Sequence, residues 1–200
     1  MIKVIAFDFG NVIYKLHHRK FIKNLKKYSK LSYSKLFDEI LNSKEYDLLE
    51  TGKISFNEYF KAIQYKAKLK ATKEKLTEEI KEKLTEIPST LDIILKLKKK
   101  YKLILVSNAN EIDFNYVIRK SKAFKYFDEY IISYKLGYMK PSFMIYLELI
   151  RLADCNPDEI LFIDDKNKNI KGAAKLGIKA IQYKNYSKLL KDLKKYKVKL

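Results

Sequence analysis

Four short stretches carry side chains that could do chemistry together. Asp8 ends an apolar run, Val4 to Phe7, and is followed by Gly10 and Asn11. Ser107 and Asn108 close a second apolar run, Leu103 to Val106. Lys140 stands immediately before Pro141, and Asp164 and Asp165 close the run Ile160 to Ile163. Each apolar run has the length and β-branched content of a buried strand, so each group is placed at a strand end. In open parallel sheets ligands bind beyond the carboxyl ends of the strands, which puts all of these groups on one rim. Carboxylates gathered on one edge repel unless a cation holds them. Their oxygens suit Mg²⁺, which takes few carboxylates and keeps waters and substrate phosphate oxygens. A hydroxyl, an amide and a lysine are what a phosphate group needs on its remaining oxygens.

The elements that must position these residues follow from apolar periodicity. Lys3 to Phe7 reads as a first strand. From about Arg19 to Ile87 the spacing predicts helices only, with stripes at Phe21, Ile22, Leu25 and Tyr28, then at Phe56, Tyr59, Phe60, Ile63 and Ala67, then at Leu76, Ile80 and Leu84. Thr51-Gly52-Lys53 reads as a break and Ser55 as an N-cap. From Ser89 the rhythm changes to alternating helix and strand. Strands are expected at Lys102–Val106, Tyr130–Ser133, Ile160–Ile163 and Ile178–Gln182. Helices are expected around Leu91–Lys98, over Glu111–Ser121, from Pro141 through Leu152, over Asn169–Leu176 and over Ser187–Tyr196. Alternation of this kind implies right-handed crossovers and a parallel sheet with helices on both faces. The fold class is therefore α/β, with a Rossmann-like core of residues 1–15 and 88–200 and a helical insertion at 16–87.

Composition bounds the function classes. A chain of 200 residues with 47% hydrophobic residues has enough for one core, which excludes a wholly disordered chain. One cysteine, Cys155, excludes an intramolecular disulfide framework and a multi-thiolate zinc site. No apolar stretch approaches the ~20 residues of a bilayer span, so no membrane partner is expected. The short N-terminal apolar stretch is no secretory signal core, and a reducing, cytoplasmic setting is the default. The formal net charge of +19 raises nucleic acid as a partner. Only Arg19, Arg119 and Arg151 among the 43 basic residues are arginine, the residue that reads bases in bidentate fashion. The lysines are spread along the chain, so the charge reads mainly as solvated helix faces.

Taken in order, the segments FDFGNV, VSNAN, MKP with Lys140 and FIDDKNKNI resemble the four motifs of the haloacid dehalogenase (HAD) superfamily of phosphohydrolases. The resemblance covers nearly the whole chain, and the insertion is similar to that family's helical C1 cap. The opening motif, the segment Glu50 to Ser55 and the SNAN variant are most similar to the sugar-phosphatase branch. That branch includes bacterial α-glucose-1-phosphate phosphatases and the N-terminal phosphatase domain of soluble epoxide hydrolase. The resemblance implies a Mg²⁺-dependent phosphatase acting on a small phosphate ester, as a monomer or homodimer. It implies Asp8 as the nucleophile that forms an aspartyl-phosphate, and Lys140 as the group that neutralises charge on it. It implies Asp8, the Gly10 carbonyl, Asp164 and Asp165 as the metal site, and Ser107, Asn108 and Lys140 as phosphate ligands.

The chain departs from the family at Gly10, where many members carry a second Asp as general acid and base. General acid–base help is typically worth ~10²–10⁴-fold. Gly10 leaves two readings: a phosphatase selective for good leaving groups, or a relative that binds phosphate and turns over poorly. A metal-independent haloacid dehalogenase would also use Asp8, but it has no need of the Asp164-Asp165 pair. His17 and His18 read as hinge sequence, Cys155 as a structural thiol, and Tyr46 and Glu50 either as cap residues facing the site or as helix packing.

Overall fold

The computed structural model describes residues 1–200. Its centre is a five-stranded parallel sheet made of β1 (Val4–Phe7), β4 (Lys102–Ser107), β5 (Glu129–Ile132), β6 (Ile160–Asp164) and β7 (Lys179–Gln182), in the order β5-β4-β1-β6-β7. The Rossmann-like α/β class expected from the alternating rhythm is the class observed. β1 is central, pairing with β4 through Phe7 and Leu105 and with β6 through Phe7 and Ile163. Asp8 and Asp164 are thereby the next residues along two adjacent strands.

The side-chain alternation of the strands divides the core in two. Ile5, Phe7, Leu103, Leu105, Leu161 and Ile163 face α6 (Pro88–Leu97) and α11 (Tyr186–Lys195). Val4, Ala6, Ile104, Val106 and Phe162 face α9 (Phe143–Ala153) and α10 (Asn167–Ala174). Strands buried on both faces need near-continuous apolar runs, and these strands have them.

Between β1 and β4 the chain forms α1 (His18–Leu25), α2 (Tyr33–Leu41), α3 (Lys44–Glu50), α4 (Phe56–Lys66) and α5 (Lys73–Glu82). A separate cluster of 15 buried residues, all between Phe21 and Ile80, joins these helices. Ser55 caps α4 with a reciprocal capping box to Glu58. No helix is long and apolar enough to cross a membrane.

Four local expectations are corrected. The segment 19–87 is not helical throughout: β2 (Tyr14–Leu16) and β3 (Leu84–Glu86) pair antiparallel where the chain leaves and re-enters the sheet region. Three-residue strands show no usable periodicity, and Leu84 belongs to the ribbon rather than to a helix stripe. Glu111–Ser121 is not one helix: α7 (Glu111–Asp113) runs directly into a π-turn segment, Phe114–Ile118. α9 starts at Phe143, because Ser142 is its N-cap and Pro141 lies outside it. His17 and His18 are half-buried rather than exposed hinge sequence. Nε2 of His17 lies 2.8 Å from Thr85 Oγ1 across the ribbon.

Candidate active site at the strand ends

The turn after β1 shapes the first half of the site. The Phe9 carbonyl accepts from the amides of Ile13 and Tyr14 at 2.9 and 3.0 Å, and the rings of Phe9 and Tyr14 stack at 4.8 Å. Asn11 takes a left-handed conformation (φ 55°), which Asn tolerates better than most residues. Its side chain works in two directions. Asn11 Oδ1 accepts from the Leu16 amide at 3.1 Å, and Asn11 Nδ2 donates to Asp165 Oδ2 at 3.1 Å. The turn is thereby tied to both the ribbon and β6.

Lys140 is the hub of the site. Its side chain is almost wholly buried, and Nζ lies 2.7 Å from Asp8 Oδ1 and 2.8 Å from Asp164 Oδ2. The third donor goes to the Val106 carbonyl at 2.7 Å. Burial works against the ammonium, but Asp8 and Asp164 outweigh it and hold its pKa above the usual lysine range. Asp8 shows the converse. Burial raises the pKa of its carboxyl, Lys140 opposes the rise, and Asp164 reinforces it.

The two carboxylates at the end of β6, Asp164 within it and Asp165 just beyond, have different duties. Asp164 is fully buried, and every direction around its carboxylate is occupied. Oδ1 accepts from the Lys166 amide at 2.8 Å, Oδ2 accepts from Lys140, and Asn169 Nδ2 donates to both oxygens at 2.9 Å. Asp165 Oδ2 is held by Asn11, whereas Asp165 Oδ1 is buried with no partner.

Ser107 is buried beside these groups, and its Oγ makes only a long contact of 3.4 Å to the next carbonyl. Its hydroxyl is therefore available. The side chain of Asn108 is not. Its Oδ1 accepts from the Lys140 amide at 2.8 Å and its Nδ2 donates to the Lys140 carbonyl at 3.1 Å. Asn108 grips the backbone that carries Lys140. The amide side chain expected on a phosphate is thus spent on positioning.

The site also fits a divalent cation. One oxygen from each of Asp8, Asp164 and Asp165 lies within 4.8 Å of the other two. Three carboxylates against the single Lys140 ammonium leave two negative charges in a buried place. Such charge is costly unless it is paired, and the orphaned Asp165 Oδ1 is a carboxylate oxygen free to ligate. The Gly10 carbonyl accepts no backbone hydrogen bond.

Sequence reasoning gave Asn11 no role and missed Asn169; both aim the carboxylates. Asn169 sits in the FIDDKNKNI segment, five residues past Asp164, in the first turn of α10, which returns its side chain to the strand end. A second polar cluster, Glu50, Lys83, Asn110 and Asp113, was also largely unread. Asn110 Nδ2 donates to Glu50 Oε1 at 3.2 Å and to Asp113 Oδ2 at 2.9 Å. Glu50 therefore faces the sheet rather than serving only as a helix end. Lone Cys155 packs at the edge of the second core face, and burial raises its pKa.

Three comparisons agree with this arrangement. D-ribitol-5-phosphate phosphatase of Bacteroides thetaiotaomicron is 29% identical over 192 residues, covering 92% of this chain and 93% of that one. Glyceraldehyde 3-phosphate phosphatase of Methanothermobacter thermautotrophicus is 31% identical over 100 residues, covering 49% of this chain and 44% of that one. A HAD family enzyme of Bacteroides thetaiotaomicron, solved in complex with magnesium and inorganic phosphate, superposes with a TM-score of 0.82 at 26% identity, covering 94% of this chain and 99% of that one. The family profile of haloacid dehalogenase-like hydrolases matches residues 2–177, so the four-motif resemblance is borne out and the chain belongs to that family.

Proposed function

We propose that this protein is a Mg²⁺-dependent phosphatase that hydrolyses a small sugar phosphate through an aspartyl-phosphate formed on Asp8. The observation that carries the reading is the 2.7 Å contact of the Lys140 ammonium with Asp8 Oδ1, inside a cluster of three carboxylates. Asp8, Asp165 and the Gly10 carbonyl would hold the metal, with Asp164 alongside anchoring Lys140. The bound cation supplies charge neutralisation on the phosphoryl oxygens. Asp8 attacks phosphorus, and the bond to the leaving oxygen breaks. Lys140 offsets the repulsion between an anionic nucleophile and an anionic phosphate. The Ser107 hydroxyl and the backbone amide of Asn108 would donate to the transferring oxygens, so catalysis here is mostly positioning and electrostatics. Water then cleaves the acyl phosphate and restores Asp8.

Residues 16–87 act as a cap on the core of residues 1–15 and 88–200. The cavity beside Gly10 and Ser107 measures only about 50 Å³. A sugar needs far more room than that. Substrate entry therefore requires the cap to swing about the β2–β3 ribbon and close again over the bound ester. A free cysteine suits a reducing cytoplasm.

The test is phosphate release from sugar phosphates, nucleotides and an aryl phosphate, with Mg²⁺ or with EDTA, alongside Asp8→Asn. Release that needs both Mg²⁺ and Asp8, with the variant reduced by at least about 10³-fold, is the expected result. Chelator-insensitive turnover of a haloacid would favour dehalogenation instead. A folded protein that binds phosphate and releases none from any ester would favour a binding role.

A further inference from the structure

Lysine is one residue in five of this chain. The longest stretch without a lysine runs from Pro141 to Asp165, and it contains the whole of α9. α9 packs against the sheet through Ile145, Tyr146 and Leu149. Its exposed positions are Phe143, Met144, Leu147 and Arg151. On α11, a helix of similar length on the other side of the sheet, the exposed positions include Lys188, Lys191, Lys194 and Lys195. Phe143, at 56% exposure, is the only exposed phenylalanine of the protein. The one cation of the α9 face is cancelled locally. Arg151 Nε and Nη2 donate to Glu148 Oε2 and Oε1, each at 2.7 Å. The outcome is an apolar stripe without net charge, on a chain whose net charge is +19.

Exposed apolar stripes mark contacts with proteins or with membranes. A helix that lies on an anionic membrane carries lysines around its apolar stripe, and α9 has none. Two copies of this chain repel wherever their lysines meet. They can approach where that charge is missing, so the neutral stripe fits a copy of itself. Phe143, Leu147 and Arg151 are spaced i, i+4 and i+8 along one side of the helix. Antiparallel packing of two such stripes about Leu147 brings Phe143 of one copy opposite Arg151 of the other. A guanidinium lies favourably on an aromatic face. We propose that the outer face of α9 joins two copies of this chain about a two-fold axis at Leu147. A contact made by one helix of 11 residues is at the small end of the interface size range. The pair therefore forms and separates in the micromolar range of concentration.

Sedimentation equilibrium of the full chain, from about 1 μM to about 1 mM, reads the mass. It is expected to rise from one chain of 23.7 kDa toward two, and no further. Leu147→Lys puts two ammonium groups at the axis and is expected to weaken the pair at least about tenfold. Tyr186→Lys adds the same charge at an exposed aromatic of α11 and should leave the pair intact. A gain of signal checks the geometry. In a Cys155→Ser background, which has no other thiol, a short bis-maleimide is expected to link two copies of Leu147→Cys and not two copies of Tyr186→Cys. This linkage decides the matter if Leu147→Lys has no cooperative melt. A mass that climbs past two chains, a pair untouched by Leu147→Lys, or linkage no better at position 147 than at 186 overturns the assignment. A single-chain mass at every concentration overturns it too. Co-sedimentation of that single chain with phosphatidylcholine vesicles, lost in Leu147→Lys, would then give the stripe to a lipid surface.

Discussion

At the scale of single residues, the site is a set of acids aimed by amides. Asp8, Asp164 and Asp165 are held by Lys140, Asn169 and Asn11, and Asn108 fixes the backbone of Lys140. Removing an aiming group leaves a buried carboxylate short of a partner. Asn169→Ala is therefore expected to cost about 1–3 kcal/mol, read as a lowered denaturant midpoint. The position usually given to an acid–base carboxylate is closed differently. A Cβ placed on Gly10 would sit 2.8 Å from Leu16 Cδ1. The obstacle is the end of a flexible side chain, so Leu16 fills the room that an acidic side chain would use. Gly10→Asp combined with Leu16→Ala is expected to install a general acid. Alkyl phosphates have poor leaving groups and gain most from protonation, so their kcat relative to an aryl phosphate should rise at least about tenfold. Steady-state rates on the two ester types check this. An unchanged ratio would mean that another group already protonates the leaving oxygen.

At the scale of elements, the strands and the helices beside them were legible because their apolar runs are long and their ends are marked. The central strands ending at Phe7, Ser107 and Asp164 carry four or more successive buried residues, which no surface helix shows. The β2–β3 ribbon was illegible, because three residues of mixed burial carry no period. The π-turn segment after α7 reads as plain helix in the sequence, since its apolar spacing through Phe114 and Ile118 is helical to a close approximation. The carboxylates of the site were legible from type and place. The partners of Asp164 and Asp165 were not, because each comes from an element whose packing angle no local pattern encodes. The C-terminal end of α3 offers a test at this scale. Burial, then the Asp113 charge, raises the Glu50 carboxyl from 4.5 to about 7, against the pull of Lys83, Asn110 and Tyr46. A carboxyl whose pKa is raised on folding favours the folded state fully below its unfolded value. That advantage is lost as pH climbs from 4.5 to about 7 and stays lost above. Glu50→Gln remains neutral throughout. Going from pH 5 to pH 8, the variant is expected to gain roughly 2 kcal/mol on the natural protein, since a tenfold change in proton affinity is worth about 1.4 kcal/mol. Denaturant unfolding at the two pH values reads the difference directly. Parallel stabilities would mean that the Lys83 and Asn110 contacts fully compensate an ionised Glu50.

At the scale of the whole molecule, the helical insertion meets the sheet domain at several places, among them a tight patch near the end of α3. Ser133 Oγ donates to the Glu50 carbonyl at 2.6 Å and accepts from the Ala109 amide at 2.9 Å, so one hydroxyl stitches the insertion to two segments of the core. Beside it, Gly52 adopts φ +65°, and a Cβ there would lie 2.2 Å from the Tyr134 carbonyl oxygen. That neighbour is backbone and cannot swing away. Gly52→Ala must therefore push the α3–α4 turn off the core, and it must also place an alanine in the left-handed region. Gly137 separates the two costs. It has φ +85° and nothing within 4 Å of its missing Cβ, so Gly137→Ala bears the conformational cost alone, about 1–2 kcal/mol. Gly52→Ala is expected to lose at least about 1 kcal/mol more than Gly137→Ala, the difference measuring the seating of the insertion. If the insertion is the cap that closes over the bound ester, KM for a sugar phosphate should rise in Gly52→Ala several-fold beyond any rise in Gly137→Ala. Equal destabilisation and equal KM in the two variants would mean that the patch yields easily, and that the seat of the cap lies elsewhere along the ribbon.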